Sequence, residues 1–131
     1  MRRAVYFMLL CGLTSAAVGC GGGGVAVTGK VVNGGSPYTL AEGEGLSINL
    51  TKEDGGGAGG GTVQKDGTFK IAGPEGAGLP AGKYKVTVTH YPSPQAGKPG
   101  AAPSPPKTKD AKEVWDVSSN KSFDLDFAKY K

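Results

Sequence analysis

Short segments in which apolar and polar residues alternate recur along this chain, separated by clusters of glycine and proline. Alternation places successive side chains on opposite faces of a β-strand, so each segment predicts a strand with one buried face. Glycine and proline interrupt helices, and here 24 glycines and 9 prolines stand among 131 residues. The pattern therefore argues against a helical bundle and favours a small all-β domain.

Seven short strands are predicted. They cover residues 25–31, 46–51, 62–64, 68–72, 84–90, 113–117 and 122–127. Because each strand has a single apolar face to bury, the expected fold is one antiparallel β-sandwich over residues 25–128, of the immunoglobulin-like kind.

Three loops and a helical turn are expected between these strands. Residues 55–61 include six glycines and predict a loose surface loop. A second loop is predicted at 74–82. Six prolines in residues 92–106 predict an extended, projecting loop. The charged segment 107–112 is expected to carry one helical turn.

The first 19 residues have the composition of an export signal. Arg2 and Arg3 precede an apolar run at 4–13, and residues 14–19 are small or weakly polar. Even counted to residue 18, the run spans about 22 Å as a helix, short of the hydrocarbon core of about 30 Å. A cleaved signal helix is therefore favoured over a permanent transmembrane helix.

Residues 17–20 read Ala-Val-Gly-Cys and resemble the lipobox of bacterial lipoproteins, which usually has leucine where this chain has Ala17. The resemblance implies cleavage between Gly19 and Cys20, attachment of a diacylglycerol to the Cys20 thiol, acylation of the new amino terminus by a palmitate-type chain, and a glycine tether within residues 20–24. Cleavage also removes Cys11, so no disulfide is possible within the mature chain. An ordinary signal that leaves a free thiol is the alternative.

Removal of the signal would leave the chain nearly neutral. The full chain has 15 basic and 11 acidic residues, and 13 lysines remain once Arg2 and Arg3 are lost. This balance predicts no nucleic-acid partner, and we expect contact with the membrane through the lipid anchor. Because Gly21 is not aspartate, the sorting rule of some bacteria with two membranes favours the outer membrane over the inner.

Three segments carry a second resemblance. Residues 27–34 read VTGKVVNG, residues 66–71 read DGTFKI, and residues 80–88 read PAGKYKVTV. They resemble the carboxypeptidase regulatory-like domain, a transthyretin-like sandwich, and residues 120–125 are similar to the last strand of that domain in small bacterial lipoproteins. The resemblance implies a fold and no catalytic residue, so we expect a protein that is not an enzyme.

The residues that carry chemistry are few. His90 is the only histidine, which excludes metal sites built on two or more histidines, and we expect it to be an ordinary residue at a strand end. Asp124 and Asp126 on one strand, with Asp116 on an expected neighbouring strand, have carboxylates that would suit a cation site. A solvated strand face is the favoured interpretation. No metal and no cofactor are predicted.

Four aromatic residues have side chains that would stack on a sugar if they reach the surface, although a sandwich also buries such residues in its core. They are Tyr38, Tyr91, Trp115 and Tyr130. Tyr91 and Trp115 are the predicted ligand contacts.

The leading hypothesis is a non-enzymatic, lipid-anchored cell-envelope protein with a structural or protein-interaction role. Its expected partner is an envelope protein or a polysaccharide, and the loop 92–106 is its predicted contact or spacer. The alternative is a carbohydrate-binding accessory module on the cell surface. An enzyme or a metal protein would require a pocket that joins His90 to acidic residues.

Overall fold

The computed structural model describes residues 24–93, 104–119 and 121–130. The predicted signal at 1–19, Cys20, most of the tether and most of the proline-rich segment lie outside the described residues. Within the described part of the chain, no helix is both long and apolar enough to cross a bilayer.

In the described residues, eight strands form two sheets. In chain order they are β1 (Val27–Asn33), β2 (Ser36–Pro37), β3 (Gly45–Lys52), β4 (Ala58–Thr62), β5 (Thr68–Ile71), β6 (Gly82–Tyr91), β7 (Lys107–Val117) and β8 (Lys121–Asp126). Two short 3-10 turns, Pro74–Gly76 and Phe127–Tyr130, accompany them.

The first sheet has β1 at its centre. β8 lies on one side of β1, and β5 and the short β2 lie on the other. The second sheet has the order β4-β3-β6-β7. An all-β sandwich is thus confirmed.

The wholly antiparallel arrangement predicted for the sandwich is wrong. β8 runs parallel to β1, with Val27 opposite Lys121 and Val32 opposite Asp126. The connection from β7 to β8 crosses between the sheets at the end where β1 also begins, so both strands run in the same direction.

The core lies between the two sheets, and the alternation predicted for the main strands is confirmed. The inner faces bury Val27 and Val31 of β1, Leu46, Ile48 and Leu50 of β3, Phe69 and Ile71 of β5, and Tyr84, Val86 and Val88 of β6. Val117 of β7, Leu125 of β8 and Phe127 of the second 3-10 turn are buried in the same core.

Gly29 of β1 lies next to a stack of three aromatic rings. It lies in register between Phe69 of β5 and Phe123 of β8. Trp115 stacks on both rings, with centroids 6.1 Å from Phe69 and 4.5 Å from Phe123. A Cβ on Gly29 would lie 2.0 Å from the carbonyl oxygen of Phe123 and 2.4 Å from Cζ of Phe69, so a side chain does not fit there.

The two turn motifs have identifiable structural roles. Asp66 Oδ1 accepts hydrogen bonds from the backbone N of Thr68 at 3.0 Å and from its hydroxyl at 2.6 Å, which closes the turn before β5. Gly67 between them has a φ of 81°, a conformation that favours glycine. At the start of β6, Tyr84 Oη donates to the Pro80 carbonyl at 2.6 Å.

The loop predicted at 55–61 is wrong in its second half, because residues 58–62 form β4 and pair with β3. Glycine there permits a close approach to the other sheet. A Cβ on Gly59 would lie 2.4 Å from Leu79, and one on Gly61 would lie 2.2 Å from the Lys70 carbonyl oxygen. Gly60 and Ala72 exchange backbone hydrogen bonds of 3.0 and 3.2 Å and so link β4 to the end of β5.

The helical turn predicted at 107–112 is also wrong. These residues form the first half of β7, which pairs with β6 and shifts register between Lys85 and Thr87. A strand pairing with many hydrogen bonds outweighs the weak helical preference of a short charged segment.

We predict that Gly61→Ala lowers the free energy of unfolding by about 1–3 kcal/mol, because its Cβ would meet a backbone oxygen that cannot move aside. Gly57→Ala is the control from the same glycine run, since its Cβ would meet no heavy atom closer than 3.4 Å. Urea denaturation measures both variants. Equal losses would contradict the close approach of β4 to β5.

Candidate functional site

The two ends of the sandwich are defined by the path of the chain. Val25 exchanges backbone hydrogen bonds of 2.7 and 2.9 Å with Leu79 at one end, which we call the proximal end. β6 begins there at Gly82 and extends for 10 residues to the other end, the distal end. At about 3.3 Å per residue, the two ends are about 30 Å apart.

A cleft of about 450 Å³ opens at the distal end, and we call it the distal cleft. It lies between the loop before β3, the paired ends of β6 and β7, and the C-terminal 3-10 turn. The lining residues are Tyr38, Glu44, Val88, His90, Lys107, Lys109, Phe127 and Tyr130.

Glu44 is the centre of a hydrogen-bond network on one side of the cleft. Its Oε1 accepts from Tyr38 Oη at 2.5 Å and lies 2.7 Å from His90 Nε2. Its Oε2 accepts from the backbone N of Ala41 at 2.8 Å. Both carboxylate oxygens are therefore engaged, and the Glu44 side chain is only 10% exposed.

This network sets two protonation states. Burial by itself would raise the pKa of Glu44, but hydrogen bonds from Tyr38, Ala41 and His90 outweigh it and lower that pKa. Burial, followed by the hydrogen bond to Glu44 and its charge, raises the pKa of Tyr38 to about 12. At neutral pH, Glu44 is therefore a carboxylate and Tyr38 is a neutral phenol that donates to it.

The lining of the cleft also has cations and an unused hydroxyl. Lys107 and Lys109 lie opposite His90 and Val88 in the pairing of β7 with β6, and both are exposed. Neither amino group has an ion-pair partner among residues 24–93, 104–119 and 121–130. Tyr130 is 7% exposed, yet its hydroxyl has no hydrogen-bond partner in the described part of the chain.

Burial of the Tyr130 ring also determines the state of its hydroxyl. Burial, with smaller contributions from the charges of Glu113 and Asp126, raises the pKa of Tyr130 to about 12. The hydroxyl therefore carries its proton at neutral pH and is available as a donor.

The two predicted ligand contacts are not brought together. Trp115 is 6% exposed and lies in the core, stacked on Phe69 and Phe123, so its ring faces are not presented to a ligand. Tyr91 is 48% exposed at the end of β6, next to His90 but outside the lining of the cleft. Of the four aromatic residues considered for sugar stacking, Tyr38 and Tyr130 are the ones that line it.

The three aspartates do not form a cation site. Asp116 lies on β7, in the other sheet from Asp124 and Asp126 on β8, so the expectation of neighbouring strands is wrong. Asp126 Oδ1 accepts from the backbone N of Gly34 at 3.0 Å and of Ala128 at 3.1 Å. Among the described residues, no group of three or more His, Cys, Asp or Glu side chains is placed to hold a metal ion.

His90 is more than the ordinary strand-end residue expected from the sequence, because Glu44 binds it across 46 positions of the chain. Sequence reasoning named neither Glu44 nor the lysines of β7. The local signal that pointed here was a lone histidine at the end of the clearest alternating strand. Nothing in the irregular segment 36–45 indicates that its glutamate faces that histidine.

No family model matches the chain, and comparisons with curated proteins and with solved structures find no match either. The resemblances to bacterial lipoproteins and to the carboxypeptidase regulatory-like domain therefore stay predictions that rest on the residues quoted for them.

We predict that Tyr38→Phe changes the alkaline limb of stability. Folding raises the pKa of Tyr38 from 10.0 to about 12. Its contribution is therefore complete below pH 10 and is lost as the pH rises from 10 to about 12. Over that interval the free energy of unfolding falls in both proteins, and we expect it to fall by about 1–2 kcal/mol less in the variant than in the natural chain. This difference is smaller than the full pKa shift would give, because solvent screens the partly exposed Tyr38.

Urea denaturation at a series of pH values measures this difference. Other groups that titrate in the same interval are present in both proteins, so the difference between the two curves reports Tyr38. Parallel curves from pH 9 to pH 12 would contradict the raised pKa of Tyr38.

Proposed function

We propose that this protein is a lipid-anchored, non-enzymatic component of a bacterial cell envelope that presents the distal cleft to a partner outside the membrane. The observation that carries the proposal is the position of the cleft at the end of the sandwich opposite Val25. Val25 follows Cys20 by five positions, a length of chain that spans at most about 18 Å. An acylated Cys20 would hold the proximal end near the bilayer and leave the distal cleft facing away from it.

The anchor itself is argued from the N-terminal sequence. Removal of residues 1–19 would leave Cys20 as the first residue, and acyl chains there give firm attachment because each buried CH₂ contributes about 0.8 kcal/mol. Gly21 favours the outer membrane. In this proposal the sandwich is a transthyretin-like, carboxypeptidase regulatory-like domain that serves as a rigid support for the cleft.

The chemistry of the distal cleft favours binding over catalysis. Glu44 has both oxygens engaged and a lowered pKa, which makes it a weak base. Tyr38 keeps its proton far above neutral pH. Among the described residues that line the cleft, there is no serine, threonine or cysteine that His90 would activate as a nucleophile.

A carbohydrate-binding accessory module is the second candidate. The observation that favours it is the presence of two aromatic rings, Tyr38 and Tyr130, in the walls of the cleft. Trp115 gives this candidate no support because its ring faces are covered by core side chains. The proposed partner of the distal cleft is thus an envelope protein or a polysaccharide.

Cys20→Ala tests the anchor. Cells that express the full chain are labelled with a palmitate analogue, and we expect the natural protein to be labelled and to sediment with membranes. The variant is expected to lose the label, since it has no thiol at the acylation position. Equal labelling of the two proteins would contradict the lipid anchor.

The orientation of the sandwich is tested with a fluorophore at either end. Ser118→Cys puts a label at the proximal end, between β7 and β8, and Thr39→Cys puts one beside the distal cleft; both positions are exposed. In vesicles that carry a quencher on the lipid headgroups, we expect strong quenching at position 118 and weak quenching at position 39. Equal or reversed quenching would contradict a cleft that faces away from the membrane.

A further inference from the structure

The polar groups of the distal cleft fall into an engaged set and an unused set. Glu44, the only acidic residue among the described residues of the lining, accepts from Tyr38 and Ala41 and lies 2.7 Å from His90 Nε2. The unused set consists of the ammonium groups of Lys107 and Lys109 and the hydroxyl of Tyr130. What the cleft still offers to a ligand is therefore positive charge and hydrogen-bond donors.

Tyr130 is the observation that points to a ligand. Its side chain is more than nine-tenths buried, it lines the cleft, and its hydroxyl is unpaired within the described part of the chain. Leaving a buried hydroxyl unsatisfied costs about 1–3 kcal/mol. A ligand oxygen that accepts from this hydroxyl would remove that cost. The two lysines of the lining would attract the charge of the ligand, and Glu113 and Asp126, whose charges act on the hydroxyl, would repel it.

The lysines by themselves have a second explanation. β7 is an edge strand, and lysines that point inward from an edge discourage pairing with another chain. That explanation does not account for the buried hydroxyl of Tyr130. It also predicts a different consequence of removing the charges, namely association of the chains.

Size and lining narrow the class of anion. A volume of about 450 Å³ suits a group about as large as one sugar or amino-acid residue. Val88 and Phe127 supply apolar walls for a carbon skeleton. Inorganic phosphate has no carbon skeleton and would leave these apolar walls without a partner.

We propose that the distal cleft binds the carboxylate of a small organic anion. The carboxylate would lie against Lys107, Lys109 and the Tyr130 hydroxyl, and the carbon skeleton would lie against Val88 and Phe127. This inference deepens the proposed function and rests on it for the cleft as a binding site, but it does not depend on the lipid anchor.

Calorimetric titration of the full chain, purified in detergent, tests the proposal. The probes are D-glucuronate and N-acetylalanine, two carboxylates from different sources, with D-glucose as the uncharged counterpart of glucuronate. We expect at least one carboxylate to bind at least about ten-fold more tightly than glucose, with an affinity that falls as salt is added. The preferred carboxylate distinguishes a sugar acid from a peptide residue.

Two results of the titration would overturn the proposal. One is that neither carboxylate binds more tightly than glucose. The other is that inorganic phosphate binds more tightly than both carboxylates.

Charge removal tests the lysines. The double variant Lys107→Gln/Lys109→Gln is expected to weaken carboxylate binding about ten-fold or more. Lys83→Gln/Lys85→Gln is the matched control, because these exposed lysines lie on β6 of the same sheet but outside the cleft. Unchanged affinity in the first variant, together with new self-association, would overturn the proposal in favour of edge protection.

Tyr130→Phe separates a binding role from a structural one. The variant removes a hydroxyl that pairs with no described residue, so we expect an unchanged or higher melting temperature together with carboxylate binding weakened several-fold. A lower melting temperature with unchanged affinity would overturn the proposal.

The outcomes for the cleft and for the anchor are independent. Binding is measured in solution, so a protein that binds carboxylates but lacks acylation at Cys20 would remove the anchor alone. A protein that is acylated but binds neither carboxylate would remove this inference alone.

Discussion

Parallel pairing of β8 with β1 is the constraint on which the rest of the structure depends. It places Phe123 beside Gly29, where a Cβ would collide with the Phe123 carbonyl oxygen. The absence of a side chain at Gly29 lets Trp115 of the other sheet stack on Phe123 and Phe69. The two sheets are thereby joined by an aromatic contact that buries the chain's single tryptophan.

The same pairing determines at which end of the sandwich the 3-10 turn after β8 lies. Because β8 runs in the direction of β1, the C-terminal 3-10 turn lies at the distal end. There the ring centroid of Phe127 is 5.1 Å from that of Tyr38 and 5.1 Å from that of His90. Lys129 Nζ then donates to Glu113 Oε1 of β7 at 2.6 Å, so the turn extends toward the edge of the second sheet. An antiparallel β8 would end at the proximal end, and the distal cleft would then lack Phe127 and Tyr130.

The distal cleft combines a satisfied half and an unsatisfied half. The network of Tyr38, Glu44 and His90 fixes the loop before β3 against the end of β6. It engages the carboxylate of Glu44 in hydrogen bonds, so that this carboxylate is not open to a ligand. The same lining includes two lysines and a buried phenol. A site of this kind holds its own shape without a ligand and offers donors to one, which is the preorganisation that binding requires.

Alternation of apolar and polar residues determined much of this fold by itself, since side chains on a strand must point to opposite faces in turn. The turn motifs at Gly67 and Tyr84 were also readable, because their hydrogen bonds join residues two and four positions apart. Only the tertiary structure decided that Gly59 and Gly61 belong to a strand, since a glycine's role depends on what its Cβ would meet in another sheet.

The candidate site belongs to the same second category. His90 and Glu44 are separated by 46 positions, and the lysines reach them only because β7 replaces the expected helical turn and pairs with β6. Local sequence preference describes a residue's own backbone, whereas a cleft is made by the ends of separate elements. The sequence by itself determined strands and turns, and it predicts a lipid anchor at Cys20. The parallel pairing and the crossing between sheets, which are non-local contacts, decided which side chains meet at the distal end.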